Sequence, residues 1–285
     1  MEIGFIDYSK DERNKILSTL KLLGEQTALD ELGIGVIRDA YADLLFPGVS
    51  TLQTRAKYFV IIPYLFQEAF ELAEKGKLCS GREMMQWLHT TEDKLVETLV
   101  HNSGSGANGI IGSVALKQKR SVKMKPSAIY WSGLRTFGIL RNEHLSLSAA
   151  CAATVQIAKK KSEAELKKDG ESFDDLTAAN VGTTLFLPLH PDSLWEKNAQ
   201  IVLTGKEAAF LESCITRSVM TRDSLLAFLI KNRIVCNSFA DIPVNILPPH
   251  LQRDYLLAYE FSHFIYGAHV RYNVIYSNGT DEAMT

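Results

Sequence analysis

Helix-start signals recur along this 285-residue chain, each followed by apolar residues at three- and four-residue spacing. That pattern constrains the fold most. A period of 3.6 buries one stripe of a helix and cannot be laid down as an alternating strand. Ser9-x-x-Glu12 forms a capping box before a run with Ile16, Leu17, Leu20 and Leu23 on one side. Ile34 to Leu45 reads as a second helix, stopped by Phe46-Pro47-Gly48. Ser50 opens an apolar-rich helix towards Lys75, kinked or broken at Pro63. Ser80 to Asn102 reads as one or two helices, with Thr91 as the internal cap. Pro126-Ser127 starts a short helix, and Ser146 a longer one that ends near Lys168 in a charged run. Thr204 caps a helix to Ser218, Thr221 one to Asn232, and Pro248-Pro249 lead a last helix towards Tyr276. Val181 to Leu189 is the best strand candidate. The expected class is mainly α, α+β with minor strand content around a helical core. The short helices and basic, Gly-rich connection of 81–141 would suit a winged-helix-like module.

The composition shift near 160–180 divides the chain into a helical region 1–160 and a helical region 181–285, joined by a charged linker 161–180; a single domain is the alternative. Acids and bases alternate in that linker, as on a solvated face and unlike a nucleic-acid tail. An apolar fraction of 46% and a charged fraction of 22% are those of a globular protein. Cys79, Cys151, Cys214 and Cys236 are scattered, which reads as four reduced thiols. MEIGFIDYSKDER has neither the basic nor the apolar region of a signal peptide, and Tyr58 to Phe66 is too short to span a bilayer. The expectation is a cytoplasmic protein with no membrane association.

Charge supplies the functional clue. Residues 98–142 hold seven basic side chains and no acid: Lys117, Lys119, Arg120, Lys123, Lys125, Arg135 and Arg141. The whole chain carries a formal charge of −2, so the remainder carries −9. Such separation gives one surface a positive field and marks a phosphate-binding face. Arg55 and Lys57, from QTRAKYF, are expected to join it. Tyr130, Trp131 and Phe137 lie within the basic stretch. Such rings can stack on bases, but at helical spacing they more often fill a core, with Trp131 and Leu134 inside and Arg135 facing out.

No catalytic motif stands beside these cations. Gly104-Ser105-Gly106-Ala107-Asn108-Gly109 matches G-x-G-x-x-G, but a helix precedes it and no acid follows until Glu143, so it reads as a loop that can approach a phosphate and not as a dinucleotide site. His263 and His269, with Glu260 upstream, do not share the helix face a metal would need. Glu165-x-Lys167 lies in the charged run without a strand-borne acid before it. No cofactor and no metal are expected.

The segments GFIDYS (4–9), LDELGIGVIRDAYADLLFPGVSTLQTRAKYFVIIPYLF (29–66) and PSAIYWSGLRTFGIL (126–140) resemble an uncharacterised bacterial family, the domain of unknown function numbered six-three-six-one. Its strongest marks here are ELGIGVIRD, LLFPG-x-ST-x-QTRA and IYW-x-GLR-x-x-GI. The resemblance implies a cytoplasmic protein in phage-defence neighbourhoods that also encode helicases and phospholipase-D-like nucleases. Members often run longer at the C-terminus. It brings no activity and no catalytic residues. The reading is therefore a non-catalytic nucleic-acid-binding or complex-assembly protein of bacterial anti-phage defence, with DNA or RNA and a helicase or nuclease as partners. One alternative is a nuclease or other enzyme using Asp7, Asp39 and Asp43, although helix-face solubility explains the 39/43 pair better. The other is a scaffold that binds protein alone.

Overall fold

The computed structural model describes residues 34–104, 108–118, 122–166 and 185–276. Among them the chain is mainly helical and holds no sheet. The Ser9 capping box and the run after it lie outside these residues, as do 167–184. The chain groups into a unit up to Tyr41 and a unit from Ala42 onward. Helix α1, Ile34–Leu45, crosses that division. Residues 34–41 are the described part of the first unit, and there Arg38 pairs with its exposed neighbour Asp39 at 2.9 Å.

In the second unit, α2 (Tyr58–Glu74) is buried on nearly every side. A helix apolar all round belongs in the centre of a core. Pro63 has no N–H to give to the Phe59 carbonyl, yet the helix runs through it, because packing outweighs the local cost. The helix begins at Tyr58, not Ser50. Residues 50–57 are instead held in turns, with the Ser50 N–H donating to Gln53 Oε1 at 3.3 Å.

Helix α3 (Gly81–Ser103) is one unbroken helix. Ser80 caps it by accepting from the Glu83 N–H, and the Glu83 carboxylate accepts from the Cys79 N–H at 2.8 Å. Thr91 starts no second helix: Leu88, Glu92 and Leu95 are buried on either side of it on one continuous face. The short α4 (Ser113–Lys117) follows the Gly-rich loop, and α5 (Pro126–Thr136) begins at the proline foreseen for it. Helix α6, Leu147–Leu166, packs against α2 and α3.

The strand candidate reduces, among its described residues, to one bridge. Phe186 faces Leu140, the Leu187 N–H donates to the Ile139 carbonyl at 2.8 Å, and the Arg141 N–H to the Leu185 carbonyl at 2.9 Å. No β-hairpin that could serve as a wing occurs among the described residues of 81–141. A short α7 (Trp195–Asn198) and α8 (Gly205–Arg217) follow, the latter with a full capping box between Thr204 and Glu207. Helix α9 (Leu225–Lys231) is capped by Ser224, while the Thr221 hydroxyl donates to the Ile215 carbonyl instead. Two 3-10 turns lead to α10, Pro249–Tyr276. Its first half is anchored by Leu251, Tyr255 and Ala258, and its second half is largely exposed.

One hydrophobic core runs from α2, α3, α5 and α6 into Phe186, Ile201, Leu211 and Ala227. Segments on both sides of 161–180 thus share that core. The four cysteines are free; Cys151 and Cys214 are buried, and burial pushes their thiols up to about 12 and about 11. Among the described residues no helix is long and apolar enough to cross a membrane.

Candidate nucleic-acid interface

Two marks of the family resemblance, LLFPG-x-ST-x-QTRA and IYW-x-GLR-x-x-GI, meet in space. A Cβ on Gly133 of IYW-x-GLR would lie 2.5 Å from the Gly48 carbonyl oxygen of LLFPG and 2.6 Å from the Phe59 ring, so only glycine permits that approach. Gln53 donates from Nε2 to the Gly48 carbonyl at 3.2 Å and lies 3.5 Å from that of Ile129. The buried Tyr130 hydroxyl accepts from the N–H groups of Thr54 and Arg55, at 2.8 and 2.9 Å, and donates to the Arg55 carbonyl at 2.9 Å. The QTRA turn is therefore clamped onto α5.

From that turn two side chains reach the Gly-rich loop. The Thr54 hydroxyl donates to the Gly109 carbonyl at 2.6 Å, and Arg55 Nε donates to the Asn108 carbonyl at 2.7 Å. Gly109 has φ +78, and a Cβ there would meet Arg55 Nε at 2.9 Å. The Tyr58 hydroxyl accepts from the Ile111 N–H at 2.9 Å. One donor of Arg55 is thus used to aim the guanidinium of an exposed side chain. Beyond the loop, Gly112 lies against Val96 and Val122, so the chain returns beside itself after α4.

The sequence-derived cations divide. Lys117, Lys123 and Arg141 are exposed, and none of them enters an ion pair among the described residues. Lys125 is half-buried and paired to Asp93 at 2.5 Å. Arg135 is half-buried, with Nη1 donating to the Glu143 carbonyl at 3.3 Å and Nε buried without a partner, so it faces out only in part. Lys119 and Arg120 lie outside the described residues. Arg55 is exposed as expected, but Lys57 is not. Only 6% exposed, it holds Glu207 at 2.6 and 2.7 Å beneath the surface, with the Tyr64 hydroxyl 3.4 Å from the same carboxylate. An ammonium locked in the interior cannot meet a phosphate, and Lys57 leaves the candidate set. Lys123 and Lys125 precede α5 in the chain, and Arg135 and Arg141 lie at and beyond its other end, roughly 16 Å away along its 11 residues.

The aromatic rings of the basic stretch are core. Tyr130, Trp131 and Phe137 are all buried, and the Trp131 indole N–H donates to the Leu145 carbonyl at 2.8 Å. None of the three offers a stacking platform.

An acid lies underneath. Buried Glu92 of α3 accepts from the N–H and hydroxyl of Ser127 in the first turn of α5, at 2.6 and 3.1 Å. Burial pushes its carboxyl up to about 7, against those hydrogen bonds and Lys125, which pull it down. His89, one turn away, is pushed down by burial and then by Lys125.

The catalytic alternatives gain no geometry. Asp39 and Asp43 are exposed on α1, and Asp7 lies outside the described residues. His263 and His269 are exposed, and His263 Nδ1 lies 3.0 Å from the Tyr259 carbonyl. No group of three metal-ligating side chains gathers among the described residues. A helix, not a strand, runs directly into Gly104.

Fold and site together define a mainly helical protein with a loop-mounted arginine and exposed lysines at 117 and 123. The chain belongs to the Family of unknown function (DUF6361), whose model matches residues 1–282. No curated protein and no solved structure is detectably similar to it.

Proposed function

We propose that this protein binds nucleic acid through the phosphate backbone, without catalysis, by means of Arg55, the Gly-rich loop and the exposed lysines that follow it. The observation that carries this reading is the exposed, aimed Arg55: its Nε is fixed on the Asn108 carbonyl of the Gly-rich loop, and Lys117 and Lys123 further along the chain are exposed and enter no ion pair among the described residues. A preset guanidinium fork suits phosphate geometry. With its aromatic rings buried, the basic stretch favours duplex backbone over stacked single strands. The setting, on the family resemblance, is bacterial genome defence beside a helicase or nuclease, in the cytoplasm.

The test is a titration of duplex and single-stranded oligonucleotides at several salt concentrations, for the wild type and for R55A/K117A/K123A. Binding should weaken with salt, and the variant should bind more weakly to every sequence, with the log–log slope on duplex flattened by up to about 2.7. Salt-independent behaviour, or equal binding by the variant, would remove the reading.

Assembly with a protein partner is the second reading. It is favoured by α10, where Phe264, Tyr266 and Ile275 are each more than three-fifths exposed.

A further inference from the structure

The segment that forms the Phe186 bridge also lines one side of an open pocket of about 260 Å³ between α2 and α6. Its walls are apolar and partly aromatic: Phe66 and Phe70 from α2, Ile157 from α6, and Leu187 and Leu189 from the covering segment. Its polar lining includes two carboxylates one turn apart on α2, Glu71 and Glu74.

The site already shows how it treats a cation. Lys161 of α6 places Nζ 2.7 Å from Glu74 Oε1 and 5.5 Å from the centroid of the Phe70 ring. Carboxylate and ring face together hold that ammonium, an arrangement that rewards positive charge on an apolar stem. Glu71 is exposed and enters no ion pair among the described residues, so the resident cation is paired with only one of the two carboxylates. The lining holds two carboxylates against Lys161, already paired to Glu74, and His190 of the covering segment, which leaves Glu71 as the carboxylate for an incoming charge. The volume lies just below the range of roughly 300–1,000 Å³ usual for small-molecule pockets, which suits a single ring on a short chain and excludes a nucleotide.

We propose that this pocket binds a small organic ammonium. Its apolar body would lie between Phe66, Phe70, Ile157 and Leu187, and its charged nitrogen would sit at Glu71, competing with Lys161 for Glu74. The inference is independent of nucleic-acid binding, because no residue is shared with the basic face.

The probe is 2-phenylethylamine, with 2-phenylethanol as its uncharged counterpart and 3-phenylpropanoate as its anionic one. Binding to the full chain is followed by ligand-observed NMR and by tryptophan fluorescence. Trp131 packs 5.7 Å from Phe66 and 6.2 Å from Phe186, which makes it a built-in reporter. The amine should bind saturably, the alcohol about 3- to 5-fold more weakly, and the carboxylate not measurably. E71Q should weaken the amine by about 3-fold and leave the alcohol unchanged; its exposed position keeps the fold intact. K161M should tighten the amine, because the resident ammonium no longer competes. Absence of saturable binding, equal affinity for amine and alcohol, an amine indifferent to E71Q, or an amine weakened by K161M in a protein of unchanged melting temperature would each overturn the proposal.

Discussion

Two cations stand two residues apart at the entrance to α2 and meet opposite fates. Arg55 sits in the QTRA turn, an exposed side chain that gives its Nε–H to the Asn108 carbonyl. Lys57 occupies the position before the first helical residue and reaches inward to Glu207 of α8. Both belong to one short motif of like charge. Backbone geometry separates them: the turn projects the first outward, and the start of α2 directs the second inward. Charge in a sequence therefore marks a surface only once the local fold has assigned each side chain to a face.

The sharpest way to break that contrast is to remove the inner cation. K57A should cost about 3–5 kcal/mol, because the Glu207 carboxylate is left buried and unpaired. The double replacement K57M/E207L should recover most of that loss, since a buried ion pair is often matched by apolar side chains of similar size. Thermal or urea denaturation decides it. A cost below about 1 kcal/mol for K57A would place the pair in water and dissolve the contrast with Arg55.

A second interior charge extends the comparison to pH. Glu92 has its carboxyl raised to about 7, chiefly by burial, from an unfolded value of 4.5. The folded state therefore binds its proton more tightly. The stability Glu92 contributes is complete below pH 4.5 and is lost as pH rises through 7. E92Q keeps an acceptor for Ser127 and should flatten stability against pH between about 5 and 7 relative to the wild type. Parallel curves for the two proteins over that window would show that Glu92 titrates as an ordinary surface acid.

On the outer side, G109A should cost about 1–2 kcal/mol, since φ +78 is a left-handed conformation and the new methyl would press on Arg55 Nε. Its oligonucleotide affinity should fall with R55A, although the guanidinium is still present. An unchanged affinity would mean that Arg55 needs no aiming. The smallest effect belongs to the exposed cations themselves. R55A, K117A and K123A should each alter stability by within about 0.5 kcal/mol, and a larger loss in any of them would assign it a structural duty.

Local signals made the helices legible. Ser80 with Glu83, Thr204 with Glu207, and Pro126 act within four residues, and each stands where the sequence pattern puts it. The failures share a cause. Ser50 has the right chemistry for a cap, but its turn is fixed by Tyr130, about 75 residues away, and α2 starts later. The fate of Lys57 depends on a partner 150 residues distant. Val181 to Leu189 has strand composition, yet its described part pairs only at a single bridge, Phe186 with Leu140. For the candidate site, the basic stretch was visible as composition, whereas the clamp on Arg55 and the pairing of Lys125 with Asp93 depend on contacts across the chain. The sequence hints at the clamp only in that QTRA and IYW-x-GLR both belong to the segments that carry the family resemblance.

The distribution of thiols has a practical consequence. Cys79 is exposed just before the first turn of α3, whereas Cys151 and Cys214 lie inside the core with their thiolates disfavoured. An alkylating reagent should therefore reach Cys79 while the protein stays folded and reach the two interior positions only when the core opens. The chain thus carries its own clock: attachment at Cys79 marks the native molecule, and the slower appearance of adducts at Cys151 and Cys214 times its opening.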